Sequence, residues 1–207
     1  MTSPTPELAK EKLGQYLEDS RTLREKKQYK EALALILVSG EYYWRKHQHT
    51  RAAGLLLEAC DLFYHLQTVN SCQTCLIAAL ELISKKAPLI WWENELLGTI
   101  FLFKACLTIL TDSNTISEQI RNFREKAPKN LQSQISREDG YRVAVALKQA
   151  VKRESLSPID DLDTKTTLRS RSDYTTLHEY LMGLAERYVL IGDCLRALRR
   201  ETQQEAL

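Results

Sequence analysis

Three groups of side chains in this chain have types and spacings that invite chemistry. Cys60, His65, Cys72 and Cys75 combine a Cys-x2-Cys pair with a nearby histidine, the kind of set that binds zinc. Helix geometry argues against it. Cys60 and His65 are five residues apart, so on one helix they differ by roughly 140° in direction and about 7.5 Å along the axis. Cys72 and Cys75 share a face with Leu76, Ala79 and Ile83, which reads as core. The expectation is therefore three packing thiols, with His65 on the solvent face beside Glu58 and Asp61, and no metal. Asp160, Asp161 and Asp163 resemble the start of a cation loop. Counting from Asp161 or Asp163, however, puts Thr166 or Leu168 where a calcium loop needs glycine, so a solvated acidic linker is expected. The histidines His47, His49, His65 and His178 stand beside no Gly-x-Ser-x-Gly and no activated cysteine. The seven glycines are isolated, which leaves no phosphate-cradling loop. These patterns point away from an enzyme and from a cofactor.

Two further features suit binding. Trp91 and Trp92 project about 100° apart on a helix, more than a narrow core stripe accepts. Both are candidate partner anchors, together with Tyr43 and Trp44, the alternative being a wide core that takes both. Arg142, Lys152 and Arg153 share a face opposite Val143 and Val151 and are candidate rim charges, with Glu138, Asp139 and Glu154 interspersed. The same basic face, with Arg196, Arg199 and Arg200 further on, carries an alternative reading: contact with phosphates of nucleic acid or an anionic surface.

The elements that must carry these residues are helices. Apolar residues recur at helical spacing, and no useful stretch alternates with period two. About eight helices are expected. The first spans about 6–27 and the second 29–47, with Leu33, Leu37, Gly40, Trp44 and His47 on one stripe. Thr50 is expected to cap the third, which turns Ala53, Leu56, Leu57, Cys60, Phe63 and Tyr64 inward. The fourth, about 70–86, shows Cys72, Cys75, Leu76, Ala79, Leu82 and Ile83. Pro88 opens a fifth over about 89–111 that is apolar nearly all round from Leu96 to Leu110 and so reads as buried. A short polar helix follows over 116–126, then one over 137–154 with Val143, Ala144, Leu147 and Val151 inward. Residues 155–172 lack any period and read as a flexible connection. Asp173 is expected to cap a last helix to about Thr202, with Tyr174, Leu177, Leu181, Leu184, Tyr188, Ile191, Leu195 and Leu198 as its stripe. That gives a helical-hairpin core over 6–154, a linker over 155–172, and a C-terminal helix over 173–204 packing back on the core. The fold class is all-α, a hairpin array or compact bundle of antiparallel helices.

The first hairpin resembles a tetratricopeptide repeat: Tyr16, Leu23, Tyr29, Ala32, Ile36 and Ser39 fall at that family's aromatic, small and second-helix positions. The pattern departs from the family at Asp19-Ser20, and no proline closes the unit. A second unit on Ala53, Leu57 and Cys60 lies 21 residues on. The resemblance covers the first half of the chain and is similar to that of irregular solenoids such as the soluble NSF attachment proteins. It implies scaffolding and partner binding rather than catalysis.

Composition sets the remaining bounds. The chain has 207 residues, of which 29 are basic and 27 acidic, so a net charge of +2 supplies no strong global pull on nucleic acid or anionic membrane. Charge is thin over 51–111 and dense after Asp112, which places the core in the middle of the chain. The N-terminus shows no basic-then-apolar leader, and the longest apolar stretch is interrupted by Lys104 and is too short to span a bilayer. Five cysteines, all within helical patterns, suit a reducing, cytoplasmic setting. The expected partner is another protein, and the final helix offers a route to a homodimer by exchange.

Overall fold

The computed structural model describes residues 6–84, 91–111, 137–153, 155–162 and 174–204. Among these, the regular structure is α-helical throughout, in nine helices. The chain divides into two compact units, residues 1–88 and 89–207. The expected core over 6–154 is thus split near Pro88.

The first unit holds α1 (Pro6–Glu25), α2 (Tyr29–Arg45), α3 (His49–His65) and α4 (Val69–Ser84). Their starts step by twenty residues from α2 onward. The cause is one turn used three times. Lys27, His47 and Gln67 adopt φ of 61°, 56° and 57°. The next residue's amide then donates back five positions: Gln28 to Leu23 O at 2.8 Å, Gln48 to Tyr43 O at 2.9 Å and Thr68 to Phe63 O at 2.9 Å. Together with the shorter bonds from Lys27, His47 and Gln67 themselves, this is the Schellman closure, which satisfies the last carbonyls and reverses the chain in three residues. Consecutive helices therefore run antiparallel, and each packs mainly on its sequence neighbour.

Side chains repeat with the turns. Ala32, Ala52 and Cys72 occupy one rung and Ser39, Ala59 and Ala79 another, each at most 2% exposed. Small residues at both rungs let neighbouring backbones approach closely. Ser39 has its hydroxyl buried without a hydrogen bond, so the position uses its size and not its polarity. This ladder explains a departure from expectation in α2. The buried face is Ala32, Leu33, Ile36 and Ser39, while Leu37 and Trp44 are 41% and 53% exposed. The small stripe wins the interior because it permits the tighter approach. Thr50 does not cap α3 either. The capping position is Gln48, without a side-chain bond, and Thr50 is buried in the first turn.

The second unit holds α5 (Trp91–Thr111), α6 (Asp139–Arg153), α7 (Ser157–Asp160), α8 (Leu177–Arg187) and α9 (Val189–Gln204). Helix α5 is its centre and packs on α6 and α9. Residues 93–111 are long and apolar enough to cross a membrane by length and composition, and most of that segment is buried inside the protein, as in a core helix. At the α5–α6 crossing Gly98 meets Gly140: a Cβ on Gly140 would lie 2.6 Å from the Gly98 carbonyl carbon. Phe103 and Tyr188 meet edge to face at 4.9 Å.

Several expected boundaries move. The expected helix over 116–126 lies outside the described residues. Val151 is 43% exposed, and Ala146 and Ala150 take the inward places. Within the stretch read as a flexible connection, Ser157–Asp160 form a helical turn opened by Pro158, with Pro158, Ile159 and Leu162 buried. The expected last helix is two. Thr176, not Asp173, caps α8, in a reciprocal box with Glu179. Tyr188 then turns extended (φ −122°, ψ 119°), which breaks the helix and sets its ring in the core. Tyr174 is 38% exposed.

Candidate partner-binding groove

Antiparallel stepping makes α2 and α4 run the same way with α3 between them, and a groove opens there. Its cavity volume is about 380 Å³, within the range of ligand-binding clefts. Helix α2 supplies Ile36, Leu37, Gly40, Glu41 and Trp44 as one wall. Helix α3 supplies Ala52, Leu55 and Leu56 as the floor, and α4 supplies Ala78, Glu81 and Leu82. The α2 residues recur at helical spacing, so one face of that helix is given over to the groove. Trp44 and Leu37 form the exposed apolar edge. Among the described residues Glu41 and Glu81 are the only charged lining residues, one on each wall, and Glu41 also holds Arg45 at 2.5 Å.

The other side of the unit is polar and closed. Arg24 of α1 reaches α3, pairing with Glu58 and, at 2.9 Å, with Asp61. Asp61 is fully buried. His65 lies 3.9 Å from Asp61 and stacks on Tyr29 with ring centroids 4.1 Å apart. His65 is therefore not on a solvent face beside two solvated acids, as expected; it packs into an ion-pair network. A buried carboxylate needs such partners, since removing one leaves an uncompensated charge.

The thiols are core residues: all five cysteines are free and buried. The Cys72 thiol donates to the Cys60 carbonyl at 3.3 Å. The Cys60 thiol is pushed well up by its hydrogen bond with Cys72 and by burial. Burial, with Cys72 beside it, pushes Cys75 up to about 12. Cys60 and Cys75, held in the neutral form, are poor ligands and poor nucleophiles, while the hydrogen bond with Cys60 draws Cys72 down. Among the described residues no three His, Cys, Asp or Glu side chains group as a metal site would need.

In the second unit the interior carries charge. Glu93, Lys104 and Asp139 are buried. Burial, with Lys148 nearby, pulls Lys104 down to about 8. Burial and Asp139 raise Glu95. Burial raises Tyr180, whose hydroxyl lies 3.4 Å from that of Thr99. A cavity of about 30 Å³ beside His178, Asp160 and Arg199 has room for about one water.

Of the residues expected to bind a partner, the structure places Trp44 in the groove. Tyr43 is its chain neighbour but lies outside the lining; it is half-buried, with Arg51 over its ring at 5.4 Å. Trp91 and Trp92 open α5 in the second unit, and their side chains lie outside the described residues. Arg142, Lys152 and Arg153 sit on α6. Arg142 is held by Asp139 at 3.0 Å, while Lys152 and Arg153 are exposed. Leu37, Leu55, Leu56, Glu41 and Glu81 were not anticipated as binding residues. For Leu37 the signal was the surplus of apolar positions on α2 once the small-residue stripe is assigned to the core.

No family model, curated protein or solved structure matches this chain.

Proposed function

We propose that the protein is a non-enzymatic adaptor whose first unit presents the α2–α3–α4 groove to a peptide or helix of a protein partner. The observation that carries this reading is Trp44, 53% exposed beside an apolar cavity, where solvent contact is unfavourable unless something covers it. Tryptophan at the edge of a concave apolar surface is the residue type that dominates binding energy at interfaces. Parallel helices over a shared floor are also what helical-repeat scaffolds use to hold extended partners. The unpaired, buried thiols support a reducing, cytoplasmic setting.

The test compares wild type with Trp44→Ala in affinity capture followed by titration of the captured partner. Because Trp44 is half exposed, the variant is expected to keep its thermal midpoint. Affinity is expected to fall by about 2 kcal/mol, or ~30-fold in Kd. Unchanged affinity in a folded variant would remove the groove from the interface. On α6, the tie between Arg142 and Asp139 leaves Lys152 and Arg153 as the basic pair of the alternative, phosphate-binding reading. A nuclease-sensitive capture would favour it.

A further inference from the structure

We infer that the groove is built for an amphipathic helix that is basic along its flanks, a deduction resting on the groove's being a binding site. The chemistry is in the lining. Leu37, Trp44, Leu55 and Leu56 offer apolar contact along the length of α2 and the floor. Glu41 and Glu81 stand on opposite walls, forty residues apart in sequence, which is two steps of the twenty-residue ladder. They therefore occupy the same register on two parallel helices and place a carboxylate on each side of whatever enters. Among the described residues no basic side chain lines the groove.

A helix with a leucine-type stripe buries that stripe on the floor and presents its two flanks to the walls. Lysine or arginine on the flanks meets both glutamates, and acidic flanks meet repulsion from both. The preference is local. The chain as a whole carries +2, so its overall field does not favour a cation. The pairing of Glu41 with Arg45 is between exposed groups, 55% and 63% accessible, and such pairs are weak enough to be exchanged.

The experiment selects a displayed library of short helical peptides, with a fixed leucine stripe and randomised flanks, on the purified full chain. Binders are then titrated against wild type, Trp44→Ala and the Glu41→Gln/Glu81→Gln double variant. Both glutamates are exposed, so the double variant is expected to keep its circular dichroism and thermal midpoint. The expected result is that Trp44-dependent binders carry an excess of Lys and Arg on their flanks. They should lose about fivefold in affinity on the double variant, the scale of two screened ion pairs, and less at high salt. Trp44-dependent binders with no basic excess, or indifferent to the double variant, would overturn the charge inference and leave the groove reading intact. Failure to obtain any Trp44-dependent binder would overturn both. Sedimentation in the same series reads self-association: a dimer dissolved by Trp44→Ala would make a second copy the occupant and overturn the basic-helix inference.

Discussion

Lys104 is the side chain whose burial has the clearest solution signature. It is 2% exposed, and burial, with the charge of Lys148 second, pulls its pKa down to about 8 in the folded protein. Below that pH both folded and unfolded chains hold the proton, and folding bears the cost of a poorly solvated cation. Between about 8 and the ordinary lysine value of 10.5, only the unfolded chain keeps it, so Lys104 makes stability rise with pH over this window. Lys104→Met is expected to raise stability at pH 7 by on the order of 1–3 kcal/mol and to flatten that rise. Urea midpoints of both proteins across the window check it, and an equal rise in the variant would show that Lys104 is solvated. At this scale the sequence was legible where one side-chain type dominates a face: Cys72, Cys75, Leu76, Ala79, Leu82 and Ile83 are all buried as expected. It misled in α2, where two apolar stripes overlap and packing distance, not hydropathy, chose between them.

Helix boundaries depend on turn chemistry, and here that chemistry was disguised. The left-handed positions are Lys27, His47 and Gln67, none of them the glycine or asparagine that signals such a closure. The ladder they create was therefore hidden in the sequence. Tyr188 breaks α8 from α9 for the sake of its own ring contact with Phe103, a tertiary cause that local pattern does not carry. Where glycine does speak is the crossing of α5 and α6. Gly140→Ala would drive a methyl group into the backbone of Gly98 and is expected to cost about 3 kcal/mol. Gly54→Ala is the contrasting change. Its added Cβ meets nothing within 4 Å, and it is expected to gain about 0.5–1 kcal/mol from helix propensity. Thermal melts of the pair decide it, and comparable effects from both would mean that the two helices do not touch where described.

At the scale of the whole chain, all-α architecture was readable from periodicity alone, but the division into two units was not. Composition marks the boundary only with the weak signal of Pro88. The first unit holds its own contacts: its helices pack on sequence neighbours, and the Arg24–Glu58–Asp61 network closes within it. Residues 1–88 expressed alone are accordingly expected to give a helical spectrum and a cooperative melt. A spectrum of unfolded chain would show that the second unit is needed for the first to fold.

The twenty-residue ladder also has a parity. Odd-numbered helices α1 and α3 meet through Arg24, Glu58 and Asp61, while even-numbered α2 and α4 hold Trp44, Glu41 and Glu81. Insertion of a single repeat would exchange odd for even in every helix after it and put ion-pair residues where groove residues belong. Insertion of two would restore the alternation and lengthen the groove. In an array of this kind, binding surface can grow only by whole hairpins.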